Sequence, residues 1–329
     1  MMDEFSFIRS IQPKFYRQAS VMKGISDDAA VIRPLDGDFV TAVDTMVEGV
    51  HFTRETMDPE HIGWRVLAAN LSDLAAMGST PRFYMVSITI PKSWSEQELQ
   101  AVYQGMKRLA DLYDVDLIGG DTVSGQELSL TVTVIGSVSK DKARYRSHAQ
   151  AGDLLFVTGT LGDSRGGLEY LLTGRTASSD GLDYLIQRHR TPEPRITFAS
   201  SLASLNRMAL NDVSDGIASE ANEIAAASHM DLIIDPEVVP YSKALERCYP
   251  GHYQAWMFSG GEDFELLGTV PEKDWAVVEK TAESVGVRVT RIGYVEHMRS
   301  DSPSVWLAKD GGRERLDASG YTHLKEEGE

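Results

Sequence analysis

The segment from Asp58 to Gly78 constrains this chain more than any other stretch. Asp58 followed by Pro59 is an N-cap followed by a residue suited to the first helical position. Ile62, Val66, Leu67, Leu71 and Leu74 follow at helical spacing, Gly78 ends the run and Pro81 lies just beyond it. Within this apolar helix sit Asn70 and Asp73, three residues apart and so on one face. Aspartate is a poor interior helix former, and a buried carboxylate needs a charge partner. The helix must therefore pack where its polar pair meets something. Strand-like runs lie on either side, Phe39 to Val43 before and Phe83 to Ile90 after, and together they predict a layered fold of the α/β (α+β) class.

The same alternation continues along the chain. Ser95 with Glu98 makes a capping box for a helix running to about Tyr113. Asp116 to Ile118 reads as a short strand that ends before Gly119-Gly120. Leu128 to Val138 alternates apolar residues with Thr and Ser, a strand with one solvated or interface face. Ser139 to Gln150 is polar and basic and reads as a connection. A strand restarts at Leu154 to Thr158, a helical run covers Ile217 to Ala227, and elements continue to about Tyr294 before a polar tail after Tyr321. At 329 residues the size prior gives two domains. We place them at 1–139 and at 150–329, on either side of that connection.

Lys plus Arg number 32 against 49 Asp plus Glu, a net charge of −17. Such a chain is a poor partner for nucleic acid and for anionic membranes, whereas cations suit it. Its single cysteine, Cys248, excludes a disulfide framework and a Cys-rich zinc site. No apolar run approaches a membrane span, and Met1 to Phe7 lacks a basic-then-apolar leader, so the expected location is cytoplasmic.

Acids beside glycine or at the ends of apolar runs recur in order. Asp27-Asp28 precedes Ala29-Ala30-Val31. Asp44 closes the strand that begins at Phe39. Asn70 and Asp73 follow, then Gly119-Gly120-Asp121-Thr122, then Asp212-Val213-Ser214-Asp215-Gly216. Each alone reads as a turn or a cap. Hard-cation chemistry unites them, because Mg²⁺ takes oxygen ligands and bridges carboxylates to phosphates. The chain has no G-x-x-x-x-G-K-[ST], no protein-kinase signature, no G-x-S-x-G and no H-E-x-x-H, so a nucleotide would be held by carboxylate–Mg²⁺ clamps and glycine turns. Arg146 suits either a phosphate partner or a solvated linker. His51, in Glu48-Gly49-Val50-His51-Phe52, lies close after Asp44, and Ser259 to Glu265 is a Gly-rich turn with an acidic rim.

Taken in order, S-D-D-A-A-V at Ser26 to Val31, D-T-M-V-E-G-V-H-F at Asp44 to Phe52, N-L-S-D-L-A-A-M-G at Asn70 to Gly78, G-G-D-T at Gly119 to Thr122, D-V-S-D-G-I at Asp212 to Ile217 and S-G-G-E-D-F-E-L at Ser259 to Leu266 closely resemble the thiamine-monophosphate kinases. That resemblance implies a two-domain fold like aminoimidazole ribonucleotide synthetase and a homodimer whose N-terminal sheets pair into a shared barrel. It implies transfer of the ATP γ-phosphoryl group to thiamine monophosphate with several Mg²⁺. It makes Asp27, Asp44, Asp73, Asp121, Asp212 and Asp215 metal ligands, with backbone contributions from Ala42 and Val43. Tyr103, Gly120, Asp121, Arg146 and Ser214 would contact ATP, and His51, Glu262 and Tyr321 the thiamine phosphate. No general base is implied, since the acceptor phosphate is already ionised. Ser26 stands where the family usually has Gly, and Ala42-Val43 where it tends to carry a hydroxyl residue. Other ATP-dependent enzymes of the superfamily, or a catalytically silent Mg–nucleotide binder, are the alternative readings. Selenophosphate synthesis is disfavoured, because the only cysteine is Cys248.

Overall fold

The computed structural model describes residues 4–25, 29–34 and 36–320. Two compact units divide the chain: Met1–Leu74 with Ser79–Ala143, and Ala75–Gly78 with Arg144–Glu329. Asp27 and Tyr321 lie outside the described residues.

The first unit runs α1 (Glu4–Ile11), β1 (Val21–Lys23), β2 (Val31–Ile32), β3 (Asp38–Val47), α2 (Pro59–Ala76), β4 (Thr80–Pro91), α3 (Glu96–Leu112), β5 (Asp116–Gly125) and β6 (Ser129–Val138). β1 and β2 form a short antiparallel pair, and the other strands a four-stranded sheet ordered β3-β6-β4-β5. Only the β4–β5 pair is parallel. α2 starts at Pro59 as its sequence predicts, and α3 carries the full Ser95–Glu98 capping box. Buried Leu130, Val132 and Val134 of β6 alternate with half-buried Thr131, Thr133 and Ile135, so one sheet face is core. α2 lies on that face, where Leu74 packs against Gly136. The opposite face carries exposed Phe39, Val43 and Val123, and on it the hydroxyls of Thr45 and Thr131 meet at 2.8 Å.

Two strands are longer than the sequence predicts. β3 continues past Asp44 to Val47, so Asp44 is a mid-strand residue instead of a strand end. β5 continues through Gly119-Gly120-Asp121 to Gly125, because the whole segment pairs with β4. Glycine weakens intrinsic strand preference, but here it allows close packing. A Cβ on Gly120 would lie 2.0 Å from the Val86 carbonyl oxygen of β4.

The second unit runs β7 (Asp153–Thr158), α4 (Asp163–Thr173), α5 (Leu182–Arg190), α6 (Ile196–Ser201), β8 (Ala209–Val213), α7 (Ile217–Ser228), β9 (Met230–Ile234), α8 (Lys243–Cys248), α9 (Tyr253–Ser259), β10 (Glu265–Pro271), α10 (Trp275–Ser284), β11 (Val289–His297), β12 (Val305–Lys309) and β13 (Gly312–Arg315). The strands form one mixed sheet ordered β13-β12-β9-β11-β7-β10-β8. β7 sits inside it, and both its faces are covered. Leu155 and Val157 join a core with Ile217, Ala221 and Ile224 of α7, while Phe156 meets Phe198 edge-on at 6.4 Å between ring centroids. That is why Leu154 to Thr158 reads as an unbroken apolar run. β12 and β13 extend the fold beyond Tyr294. They are joined by Asp310-Gly311, a two-residue hairpin loop with Gly311 at φ +84°.

β10 begins at Glu265, which is fully buried between two guanidinium groups. Arg188 lies 2.8 Å from its carboxylate and Arg195 2.5 Å, and Thr158 Oγ1 donates to it at 2.7 Å. Desolvation pushes this carboxyl up, but Arg195 and then Arg188 outweigh it and hold it below the usual range. Breaking a buried pair costs more than the pair is worth. Glu265→Ala is therefore expected to lower the unfolding free energy in a urea titration near neutral pH by about 3–5 kcal/mol. The sign with pH follows from a folded pKa below the unfolded one. The contribution is present above the unfolded carboxylate pKa of about 4.3 and is lost as pH falls through the lower folded value. The gap between wild type and variant should narrow in acid, and an equal gap at all pH would contradict the assignment.

Candidate active site

In the first unit the polar pair of α2 meets the edge strand β3. Asn70 is fully buried. Its Oδ1 accepts the Asp44 backbone N–H at 2.9 Å, and its Nδ2 donates to the Val66 carbonyl at 2.8 Å. Asn70 thus satisfies a donor that an edge strand leaves without a ladder partner. One turn on, the Asp73 carboxyl shares a hydrogen bond with the carboxyl of Asp44. Desolvation raises the Asp44 carboxyl above its ordinary range; the Asp73 hydrogen bond and nearby His51 act the other way and do not cancel it. Two carboxyl groups this close define a place where a hard cation fits.

His51 lies in a tight loop after β3. The Val47 amide donates to His51 Nδ1 at 3.1 Å, which leaves the ring proton on Nε2. Glu48 holds this loop: it accepts from Trp94 Nε1 at 2.9 Å and from the Leu128 amide at 3.3 Å. The guanidinium of Arg54 stacks 4.2 Å above the Trp94 ring. The acid of the E-G-V-H-F segment is therefore a strut, and the histidine is the side chain it presents.

The pairing register settles the remaining positions in this unit. Asp44, Val132, Val86 and Gly120 form one row, and Thr45, Thr131, Ser87 and Asp121 the next. Neighbouring rows point to opposite faces, so Asp121 faces away from the Asp44–Asp73 pair. Ala42 shares the face of Asp44, whereas Val43 is exposed on the open face. Tyr103 is only 8% exposed, packed on α3 edge-on to Phe7, and burial raises its hydroxyl.

In the second unit the predicted residues gather around the end of β8. Asp212 is buried within the strand, and Ser214 and Asp215 form the turn into α7. Arg146, on a 3-10 turn at Arg146–His148, donates through Nε to Asn211 Oδ1 at 2.9 Å and pairs with Glu223 at 3.2 Å. At the centre is Glu220. Its carboxylate accepts from Asn211 Nδ2 at 2.6 Å, from the Asp215 amide at 3.0 Å and from Ser214 Oγ at 3.3 Å. Burial, and then the charge of Asp212, push its carboxyl up to about 8. Nothing in the sequence singles out Glu220, because Glu in a first helical turn is ordinarily a solvated dipole partner. The Ser259–Glu265 turn closes over the same place, with the Glu262 amide donating to the Ser214 carbonyl at 2.6 Å. Of its acids only Glu262 lines a rim, since Asp263 and Glu265 are fully buried. Gly320 lies against Asp215, and a Cβ there would come within 1.9 Å of the Asp215 carbonyl oxygen.

Asp44, Asp73 and His51 thus come together in one unit, and Arg146, Asp212, Ser214, Asp215 and Glu262 in the other. Among the described residues no three acids, histidines or cysteines form a ready-made metal cage, and no helix is long and apolar enough to cross a membrane.

Residues 26–138 match the N-terminal domain, and residues 150–305 the C-terminal domain, of AIR synthase related protein. The chain therefore has the two-domain α/β architecture of that class. Within it, the chain is 45% identical to the thiamine-monophosphate kinase of Bacillus subtilis over 98% of its own length and 100% of that protein's. The crystal structure of thiamine-monophosphate kinase from Stenotrophomonas maltophilia superimposes with a TM-score of 0.81 at 35% identity, covering 91% of this chain and 94% of that one. AaThiL complexed with AMPPCP and TMP superimposes at 0.77 with 30% identity, covering 92% of each. This chain belongs to the thiamine-monophosphate kinase family.

Asn70→Ala removes the acceptor of the Asp44 amide and is expected to cost about 1–3 kcal/mol in thermal unfolding. A melting temperature equal to wild type would show that this contact does not hold β3.

Proposed function

We propose that this chain transfers the γ-phosphoryl group of ATP to the phosphate of thiamine monophosphate, giving thiamine diphosphate and ADP. The observation that supports this most directly is the Asp44–Asp73 carboxyl pair, which lies on segments that match the family's motifs. Mg²⁺ fits the oxygen donors gathered in each unit: the neighbouring carboxyls of Asp44 and Asp73 in one, and Asp212 with the Ser214–Asp215 turn in the other. Several ions would be held, Asp44 and Asp73 serving one and Asp121, on the other sheet face, a different one, with Asp27, Asp212, Asp215 and the backbone of Ala42 and Val43 as further ligands. Bound there, the metal supplies charge neutralisation between two anionic phosphates.

The chain's own residues then have these roles. Arg146, whose fork already reaches Asn211 and Glu223, can turn an N–H toward an ATP phosphate, and Ser214, Gly120 and Asp121 would line the nucleotide. Tyr103 would contribute only its small exposed rim. His51 donates from Nε2 to the thiamine phosphate, while Glu262 and Tyr321 contact the same substrate. A phosphate oxygen of thiamine monophosphate forms a bond to the γ-phosphorus as the bond to the β–γ bridging oxygen breaks, and ADP leaves. The attacking oxygen carries no proton near pH 7, so no general base is required. Catalysis rests on positioning and charge. We further propose a cytoplasmic homodimer in which the open sheet face, with Phe39, Val43 and Val123, is covered by a second copy.

A ³¹P NMR time course with purified protein, ATP, Mg²⁺ and thiamine monophosphate tests the reaction. The diphosphate signals of thiamine diphosphate should grow, stop on addition of EDTA, and slow at least ~100-fold in Asp73→Asn, in line with losing a preorganised electrostatic contact. ATP loss that releases free phosphate without that product would point to a different acceptor. Sedimentation at micromolar concentration tests the dimer, and a monomer would refute the covered sheet face.

A further inference from the structure

The turn that carries Glu262 is held in a backbone conformation its residues do not favour. Glu262 has φ +66° and Phe264 φ +50°, both in the left-handed region and neither a glycine. Such positions persist only where surrounding contacts over-determine them. Here the contacts are complete. The Glu262 amide donates to the Ser214 carbonyl at 2.6 Å and the Phe264 amide to the Val213 carbonyl at 3.0 Å. Gly261 allows the approach, since a Cβ there would lie 2.6 Å from the Ser214 carbonyl oxygen. Between the two strained residues, the fully buried side chain of Asp263 points away from the turn. Its Oδ2 accepts the Gly162 amide at 2.6 Å and its Oδ1 the Ser164 amide at 3.0 Å, both at the start of α4. Its backbone carbonyl accepts from Arg188 Nη2 at 3.2 Å, and Arg188 is itself fixed by Glu265.

We propose that Asp263 is a positioning residue for substrate binding: by clamping the turn to the start of α4 it holds Glu262 against the Ser214–Asp215 turn. This rests on the reading of Glu262 as a contact to thiamine monophosphate. The carboxylate matters because both its oxygens accept from main-chain N–H groups. An amide could accept only one and would turn an NH₂ toward the other donor. The strained backbone then relaxes, and Glu262 withdraws from the nucleotide-side turn. Asp263 touches neither substrate and acts through its neighbour.

The experiment compares Glu262→Gln, Asp263→Asn and the double variant. It reads KM for each substrate, kcat, and calorimetric binding of thiamine monophosphate without ATP. Asp263→Asn should raise KM and Kd for thiamine monophosphate about tenfold or more while KM for ATP changes less than about threefold, a loss comparable to one buried hydrogen bond to a charged group. In the double variant the loss should match Glu262→Gln alone, because Asp263 has no other route to the substrate. Additive losses, or a lower melting temperature with unchanged KM and Kd, would overturn the positioning role. If Glu262→Gln itself leaves thiamine monophosphate binding unchanged, the proposal fails with the assignment of Glu262; if Glu262→Gln weakens binding and Asp263→Asn does not, the positioning role alone fails. Should Asp263→Asn fail to fold, Asp263→Ser, which keeps one acceptor for the α4 amides, carries the same comparison.

Discussion

Like charges held close together repel, and this chain repeatedly places carboxyl groups within reach of one another. The fold answers that repulsion differently in each place. Asp44 and Asp73 stand within hydrogen-bonding reach of each other. Glu265 is enclosed by Arg188 and Arg195. Glu220 is buried among Asn211, Ser214 and the Asp215 amide, and that burial, with the charge of Asp212, pushes its carboxyl up. The second is closed and structural, its charge matched by two arginines, so that acid holds the protein together.

The backbone places these groups before the side chains act. The alternation of strand residues puts Asp44 on the covered face and Asp121 on the open one, and a one-residue slip of β3 or β5 would exchange them. Asn70 protects the register at the vulnerable edge by taking up the Asp44 amide. In the second unit the end of β8 does similar work, since Asp212 is fixed by pairing with β10 and Ser214 by the turn that follows.

Features set by local chemistry were legible in the sequence. Pro59 starts α2, Ser95 and Glu98 cap α3, and the Thr/Val alternation of β6 announces a strand with two unlike faces. Features set by a distant partner were not. Gly119-Gly120 looks like a strand end until β4 is beside it, and Glu220 looks solvated until β8 brings Asn211 against it. The Ser259–Glu265 turn shows the limit most clearly, because its acids look equivalent in sequence. Asp263 and Glu265 are buried by α4 and by two arginines that lie far away along the chain, leaving Glu262 alone at the rim. The Asp310-Gly311 hairpin carried a recognisable signal, but its charged flanks hid the strands.

The strand order of the second unit bears on how the chain comes to be folded. β7 is the first strand of that unit to be made, yet its neighbours, β10 and β11, are the fourth and fifth of its seven and lie more than a hundred residues further on. Its apolar residues must stay unpaired until nearly the whole chain is available, and long loops must close before any of those pairings form. During synthesis the first unit can complete its sheet with its own strands while β7 waits. The run Leu154 to Thr158, buried along its whole length in the finished sheet, is thus exposed longest to other chains, and it is the segment most dependent on protection from aggregation before β10 and β11 arrive.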